Sequence, residues 1–482
     1  MKASGKSEAG EARGFRDPGG RLMERGGRLL RVVGAEGREC ARLFLEDGCL
    51  EGLRKTGRLV ETRRLTEAEA EEAGLGGETE VLEHRPVWFP SYPAEWAPEM
   101  LAEAGRLTLE VAEAALRAGA GLKDATPYNV MYEGWRAVFL DALSVEPRGG
   151  LDPLWRAEAQ FRRTFLYPLA AAGRCGVGLK ETFGVRREGP EPEELAEWAG
   201  PVRRWLPPFL GLCTLPAMLN RSERVAEEGF YEGRKCGSEE QARFILERRL
   251  RGLRKQLEAL AGGVRGRSKW SGYQGEECHY AAEDLAAKDA FVREALGRLK
   301  PGARVLDVGA NLGRYSLMAA EMGHSVVAID ADAVVMGRLY EEAKRRKLDV
   351  LPLVVDFANP PGGTGWGNRE TKGFLERAEG QFDCVLMLAV MHHLELVNGV
   401  PAEEVMELVG RLTRGMVVVE WVGPEDAQYR KLLRGRKPLC ADTGHRADLR
   451  SPSGRTVTKR EAASDVLCIS ERRLECRSVQ TD

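Results

Sequence analysis

The sequence has few of the features that mark membrane, secreted or metal-binding proteins. No apolar run among its 482 residues is long enough to cross a bilayer, and the first residues contain no apolar signal core. The 10 cysteines are scattered without a C-x-x-C pair, and the 6 histidines show no metal-ligand spacing. These absences predict a cytoplasmic protein with reduced thiols and no metal site.

Charge of either sign is not in excess. Lys and Arg number 72 and Asp and Glu 74, so the net charge is -2, which gives no support to a nucleic-acid or membrane partner. The hydrophobic fraction of 43% and the charged fraction of 30% are typical of a globular protein. The length predicts two or three domains, while the oligomeric state is left open.

The most informative stretch is RVLDVGANLGRYSLMAAEMGHSVVAIDAD, residues 304–332. It predicts a buried strand ending at Asp307, a glycine turn, a helix, and a second strand ending in Asp330. Gly309 and Gly313 lack a Cβ, so the backbone can approach a ligand there, and the helix N-terminus offers N–H groups to an anion. Asp330 can accept hydrogen bonds from both hydroxyls of a ribose. This order is typical of units that bind an adenosine-type cofactor.

The turn has the spacing Asp307-x-Gly309-x-x-x-Gly313, with Asn311 inside it, and not the G-x-G-x-x-G of nicotinamide-binding units. It resembles the first motif of class I S-adenosylmethionine-dependent methyltransferases. The resemblance implies that Asp307, Gly309 and Gly313 cradle the methionine end of the cofactor and Asp330 its ribose, with Asn311 also in the cofactor site. A Rossmann-type unit with another nucleotide, or with none, is the alternative.

Further apolar runs separated by helical stretches predict a parallel, doubly wound sheet. The third strand leads to Asp356, the fourth runs into His392 and His393, and the fifth ends in Glu420. Ligands bind at the carboxyl ends of such strands, so these side chains are expected at one edge. By resemblance, Asp356 holds the adenine. His392, His393 and Glu420 are the candidate bases, needed only if the acceptor is a hydroxyl or a protonated amine.

The segments that flank this core carry further expectations. Tyr280 and Lys288 precede the first strand and are candidates to close the cofactor pocket. The alternative is that Tyr280 packs in the core and Lys288 lies on a solvated face. Residues 441–482 are polar and rich in Arg and Ser, so they are expected to lack the two apolar strands that complete such a sheet. The tail is therefore expected to be disordered, or the terminus to be truncated or altered, with Asp465–Ile469 and Leu474–Val479 as the segments that could pair.

A second informative stretch is GLKDATPYNVMYEGWRAVFLDALSVEP, residues 121–147, which predicts a loop and a two-stranded hairpin. It resembles the catalytic loop of phosphotransferases of the aminoglycoside-kinase type. The resemblance implies Asp124 as base and Asn129 and Asp141 as ligands of Mg²⁺. Neither a glycine-rich phosphate loop nor a lysine strand precedes it. A kinase-like scaffold without phosphotransfer, with these residues capping turns, is the alternative.

Residues 15–435 as a whole resemble a family of bacterial class I methyltransferases with an N-terminal kinase-like domain, often described as nodulation-protein-related. The resemblance implies an α/β fold, S-adenosylmethionine as cofactor and methyl transfer to an unidentified acceptor. The alternatives are a bifunctional enzyme that also binds Mg-ATP and a degenerate cofactor-binding protein without catalysis. The predicted parts are a disordered start (1–20), an α+β kinase-like, C-lobe-like domain (21–260), a linker (261–269), a Rossmann-like methyltransferase domain (270–440) and an atypical tail (441–482).

Overall fold

The computed structural model describes residues 12–13, 17–46, 48–78, 80–220, 235–262, 282–422, 427–435, 456–461 and 464–470. The chain divides into two compact units. The first comprises Met1–Ala94 and Pro98–Arg265, and the second comprises Glu95–Ala97 and Gly266–Asp482. Tyr280, residues 474–479 and most of the predicted segments 1–20 and 261–269 lie outside the described residues.

The strands of the first unit form one larger antiparallel sheet and two small pairs. They are β1 (Ala12–Arg13), β2 (Gly20–Arg25), β3 (Arg28–Val33), β4 (Thr62–Arg64), β5 (Val81–His84), β6 (Ala120–Leu122), β7 (Val130–Glu133), β8 (Arg136–Phe139) and β9 (Val145–Pro147). Among the described residues the sheet has the order β1-β2-β3-β5-β4, and β6 pairs with β9 and β7 with β8. In β3 the side chains of Leu30 and Val32 are buried, so the alternation of a strand turns Arg31 to the other face.

The helices of the first unit are α1 (Arg38–Glu46), α2 (Glu51–Lys55), α3 (Glu67–Glu72), α4 (Pro98–Arg117), α5 (Glu158–Phe161), α6 (Tyr167–Cys175), α7 (Leu179–Val185), α8 (Pro192–Arg203), α9 (Leu215–Asn220) and α10 (Glu239–Ala261). The longest of them are α4 and α10, and both α6 and α10 pack on α4. The buried face of α10 includes Leu250, Leu253 and Leu257, at helical spacing, and α10 packs on α4. Gly105 makes the close approach possible, because a Cβ there would lie 3.1 Å from Leu257 Cδ1.

The strands of the second unit form one mixed sheet. They are β10 (Arg304–Val308), β11 (Ser325–Asp330), β12 (Val350–Val354), β13 (Phe382–Met387), β14 (Thr413–Val422), β15 (Thr456–Glu461) and β16 (Ser464–Ser470). Their order, among the described residues, is β12-β11-β10-β13-β14-β16-β15, and the first five are parallel. Near-continuous apolar runs suit these strands because both faces of a parallel sheet are covered. The predicted doubly wound α/β fold is confirmed.

The end of the chain contradicts one expectation. β16 pairs with β14 in antiparallel fashion, with Val422 opposite Ser464, and β15 pairs with β16. The prediction that residues 441–482 lack the closing strands is therefore wrong for these two segments. Pairing requires only backbone groups, and the polar sequence of β15 suits the edge of a sheet. Because β16 provides a partner, β14 continues to Val422, and Glu420 lies inside the strand rather than at its end.

The helices of the second unit are α11 (Ala282–Gly297), α12 (Arg314–Glu321), α13 (Ala333–Arg346), α14 (Phe374–Ala378), α15 (Met391–Leu396), α16 (Ala402–Leu412) and α17 (Ala427–Leu433). Asp332 precedes α13 and caps it, because its carboxylate accepts the Val334 N–H at 2.9 Å. Within the part of the chain that the structure describes, no helix combines the length and the apolar character needed to cross a membrane.

Candidate functional site

A cavity of about 270 Å³ opens in the second unit at the carboxyl ends of β10, β11, β12 and β13. The chain leaves β10 for β11 on one side and reaches β13 on the other, so the cavity lies where the strand order reverses. Such a point is where open α/β sheets bind ligands. The predicted residues on its wall are Asp307, Gly309, Asn311, Asp330, Asp356 and His393.

The glycine turn after β10 is packed tightly on both sides. Gly309 and Gly313 have left-handed φ angles of +71° and +77°. A Cβ would lie 2.4 Å from Val390 Cγ2 at the first position and 2.2 Å from Leu339 Cδ1 at the second. Both positions therefore require glycine, for conformation and for space.

Asn311, inside this turn, is left-handed as well, with φ of 50°. Its Oδ1 atom is buried and has no hydrogen-bond partner among the described residues, although Asn311 lines the cavity. A buried amide oxygen without a partner costs free energy, so a donor on a bound molecule would relieve it. This atom is a feature of the site that fits a cofactor carrying amine or hydroxyl groups.

Asp307 forms part of the cavity wall but is almost wholly buried. Its Oδ2 accepts a hydrogen bond from Ser316 Oγ at 2.5 Å. Burial raises the pKa of Asp307 to about 7, opposed by the Ser316 hydrogen bond and helped by the negative charge of Asp330. The carboxyl can therefore carry or release a proton near neutral pH.

Asp330 is the last residue of β11 and receives two backbone hydrogen bonds. Asn311 N–H donates to Oδ2 at 3.1 Å and Asp332 N–H to Oδ1 at 2.9 Å. Burial raises the pKa of Asp330, and these N–H groups act against the rise. Each oxygen keeps a second lone pair, so the carboxylate is oriented and still able to accept from a ligand.

Asp356 follows β12 and lies near Asp330 because β11 and β12 pair with Asp330 opposite Val354. Its Oδ1 accepts the Ala358 N–H at 3.0 Å, which shapes the loop, and Phe357 adds an apolar wall to the cavity. The side chains of Asp330 and Asp356 thus border one cavity.

The three candidate bases are in different environments. Of the described residues, His393 lines the cavity whereas His392 and Glu420 do not. Burial, followed by the charge of His393, lowers the pKa of His392 to about 3, so its ring is neutral at neutral pH. Glu420 is fully buried and accepts a hydrogen bond from Lys288 Nζ at 2.5 Å. Their catalytic roles stay predictions, and the placement favours His393.

Lys288, on α11, is 9% exposed and lines the cavity beside the Tyr315 ring, whose centroid is 5.3 Å from Nζ. The sequence marked Lys288 as a candidate for closing the pocket but gave no sign of its pairing with Glu420, 132 residues away. Sequence reasoning also missed Leu388 and Val390 on the cavity wall. The rule that ligands lie at strand ends could have indicated these two, because they directly follow β13.

The predicted phosphotransferase residues of the first unit lie together at the β7–β8 hairpin. Asn129 Nδ2 donates to the Asp124 carbonyl at 3.4 Å, and burial and the charge of Asp141 raise the pKa of Asp124. Arg31 Nη1 donates to Asp141 Oδ1 at 3.2 Å and lies 3.4 Å from Asp17 Oδ2. Among the described residues no group of His, Cys, Asp or Glu side chains is placed to hold a metal ion. The kinase-like roles stay predictions.

Comparison with known proteins gives a family match in the second unit. Residues 279–436 match the family model of the methyltransferase domain. Over 441 residues the chain is 29% identical to nodulation protein NoeA of Rhizobium meliloti (strain 1021), an alignment that covers 90% of this chain and 89% of that protein. The cavity-lining residues described above all fall inside the matched range.

Solved structures give more distant matches. The bifunctional kinase-methyltransferase WbdD matches with a TM-score of 0.31 and 18% identity over 43% of this chain and 42% of that one. Magnesium protoporphyrin IX methyltransferase (ChlM) from Synechocystis PCC 6803, solved with bound SAM, matches with a TM-score of 0.27 and 18% identity over 43% of this chain and 86% of that one. At these scores the matches carry no weight for the chemistry of the site.

Proposed function

We propose that this S-adenosylmethionine-dependent methyltransferase binds its cofactor in the cavity of the second unit and methylates an acceptor still to be identified. The enzyme class and the cofactor were predicted from the sequence and are confirmed by the methyltransferase family match. The observation that carries the site assignment is the convergence of Asp330, Asp356 and the Gly309 turn on one cavity.

The carboxylates are assigned by their positions along the sheet. Asp330, held by two backbone N–H groups, would accept hydrogen bonds from the ribose hydroxyls, and Asp356, one strand further out, from the adenine amino group. Asn311 Oδ1 would gain the donor that it lacks. The residues present therefore fit the group that the family requires.

Lys288 would bind the carboxylate of the methionine end. Its ammonium is already paired with Glu420 and held beside the cavity wall, so little side-chain entropy is lost on binding. Glu420 also balances the charge of Lys288, which limits repulsion of a positively charged cofactor. We therefore infer that Glu420 positions Lys288.

When bound, the sulfonium of the cofactor supplies an activated methyl group, so the chain has to align the acceptor and keep water out. Phe357 and Val390 give the cavity apolar wall for that purpose. Of the three candidate bases, His393 lies on the wall and could take a proton from a hydroxyl or amine acceptor. The sequence predicts reduced thiols, which are typical of proteins in the cytoplasm, and we propose that the enzyme is located there.

The test is calorimetric titration of the full chain with S-adenosylhomocysteine, alongside Asp330→Ala. Loss of charge-assisted hydrogen bonds to the ribose should weaken binding by roughly 2–4 kcal/mol. The matched control is Asp332→Asn, two residues further along the chain, where the side chain caps α13. Absence of binding by the intact chain, or equal binding by Asp330→Ala, would contradict the site assignment.

A further inference from the structure

The wall of the cofactor cavity carries more acidic than basic side chains. Its carboxyl groups are those of Asp307, Asp330 and Asp356, and its Lys and Arg side chains are Lys288 and Arg314. Lys288 Nζ is bonded to Glu420, and Arg314 Nε donates to Asp289 Oδ1 at 2.8 Å. Of the described residues, neither of these two acids lines the cavity. The three wall carboxyls accept hydrogen bonds, within the described part of the chain, from a hydroxyl and from backbone N–H groups. The cavity therefore suits a ligand with positive charge.

Asp307 lies on the next strand across the sheet from those that lead to Asp356 and Asp330. The three strands are neighbours in the order β12, β11, β10, and neighbouring strands are about 4.8 Å apart. The inference rests on the proposed function, in which Asp356 holds the adenine and Asp330 the ribose. A cofactor placed in that way continues in the same direction to the end of β10. Its sulfur and its methionine end therefore belong beside Asp307.

Asp307 is 3% exposed, and the hydrogen bond that it accepts from Ser316 Oγ comes from a neutral donor. Burial raises the pKa of Asp307 to about 7; the Ser316 hydrogen bond and the charge of Lys288 oppose the rise, and the charge of Asp330 adds to it. The other titratable and charged groups that line the cavity or contact its wall are Lys288 and Asp289 on α11, Arg314 and Tyr315 on α12, Asp330, Asp356, His392 and His393 on α15, and Glu420 on β14. A cation beside a carboxyl favours its ionised form, so a positive charge in the cavity would draw the proton off Asp307.

Methyl transfer changes the charge of the cofactor by one unit. The donor carries a sulfonium, an ammonium and a carboxylate, whereas S-adenosylhomocysteine carries only the last two, because the C–S electrons stay on sulfur when the methyl leaves. We propose that Asp307 makes the cavity selective for the positively charged methyl donor over this uncharged product. Asp307 gives its proton to solvent when the donor binds and takes a proton back from solvent when the product remains. The product is therefore held less tightly than the donor.

The experiment is calorimetric titration of the full chain with S-adenosylmethionine and with S-adenosylhomocysteine, each in two buffers that differ in their heat of ionisation. The difference between the buffers gives the number of protons released on binding. At about pH 7 the donor should release about half a proton more than the product, because Asp307 starts half protonated. The ratio of the two affinities should shift in favour of the donor by up to about tenfold between about pH 6 and about pH 8.

Asp307→Asn keeps the size of the side chain but cannot ionise, so it should release no extra proton and show the same affinity ratio at both pH values. Asp383→Asn, exposed at the start of β13, is the matched control and should behave like the parent. Equal proton release with the two ligands, or extra release that Asp307→Asn keeps and His393→Gln removes, would overturn the proposal while leaving the cofactor site in place. Failure of the parent to bind either ligand would overturn the proposed function and this inference together.

Discussion

Each unit of this molecule has a group of carboxylates that lie next to strands, and the two groups have different surroundings. In the second unit Asp330 and Asp356 border an open cavity and are oriented by backbone N–H groups. In the first unit Asp17 and Asp141 share the guanidinium of Arg31. An acidic residue at the end of a strand therefore indicates where a carboxylate lies, but the groups around it decide whether a ligand can reach it.

The difference arises from what each backbone brings near the acids. The cavity is bordered by a glycine turn whose left-handed residues allow close packing. In the first unit β3 presents Arg31, 110 residues before Asp141, and the guanidinium is always charged. Asp330 and Asp356 therefore remain able to accept hydrogen bonds from a ligand, whereas Asp17 and Asp141 already accept them from Arg31.

The largest expected effect comes from Gly313→Ala, which tests whether the turn requires glycine for space as well as for conformation. The new Cβ would meet Leu339 Cδ1 at 2.2 Å, and Leu339 is buried. A left-handed alanine costs about 1–2 kcal/mol and overpacking about 1–3 kcal/mol more, so unfolding free energy should fall by about 2–5 kcal/mol. Chemical denaturation measures the loss.

Gly302→Ala is the control for that variant, because its φ is +74° but no atom lies within 4 Å of the new Cβ. It should lose only the conformational term, about 1–2 kcal/mol. Equal losses in the two variants would mean that Leu339 moves aside, and the tight packing of the turn would then not be what requires glycine.

The next effect concerns pH, and it should be specific to the cavity. The pKa of Asp307 rises from 3.8 to about 7 in the folded chain because the carboxyl is buried. The fold favours the protonated form, so Asp307 does not affect the unfolding free energy below about pH 4. The unfolding free energy falls as the pH rises from there, and the loss is complete above about pH 7. Asp307→Asn should remove this slope, so its gain over the parent should grow through this range to about 4 kcal/mol.

Measuring the difference between parent and variant cancels other titrations. His392, whose pKa is lowered to about 3 by burial, contributes the opposite slope, with stability rising from about pH 3 to its ordinary value of 6.5. Both chains contain it, so it drops out. Parallel stability curves for parent and Asp307→Asn would show that Asp307 is ionised in the fold across this range.

The strand ends of the second unit were predictable because local pattern determines them. Asp307 and Asp330 lie where apolar runs stop, and the glycine spacing between them identifies the turn. The pair of Lys288 with Glu420 was not predictable, because a helix residue and a strand residue 132 positions apart meet only through tertiary packing. The same holds for Arg31 and Asp141.

The closing hairpin shows a different limit. Apolar composition is a good sign of a strand buried on both faces, and it found β10 to β14. It failed for β15, whose sequence TVTKRE is polar, because an edge strand gains its place from backbone hydrogen bonds to β16 and not from burial. Composition underestimates strands of this kind wherever a neighbour offers an unpaired edge.

The smallest expected effect tests whether Arg31 pairs with Asp141 in the first unit. Asp141 and Asp152 both accept a backbone N–H two residues on, from Leu143 at 3.1 Å and Leu154 at 2.9 Å, but only Asp141 is also hydrogen-bonded to Arg31. Asp141→Asn should therefore cost about 1–2 kcal/mol of unfolding free energy, and Asp152→Asn much less. Thermal denaturation of the two variants gives the difference.

The same variant decides between the two readings of the first unit when Mg-ATP is added. With Arg31 on Asp141, the parent should melt at the same temperature with and without Mg-ATP, because a metal would have to displace a guanidinium that cannot lose its charge. A saturable rise in melting temperature that Asp141→Asn removes and Asp152→Asn keeps would show that a ligand can reach the carboxylates of the first unit. Asp124, Asn129 and Asp141 would then form a nucleotide site after all, and Arg31 would be a gate on it rather than its permanent occupant.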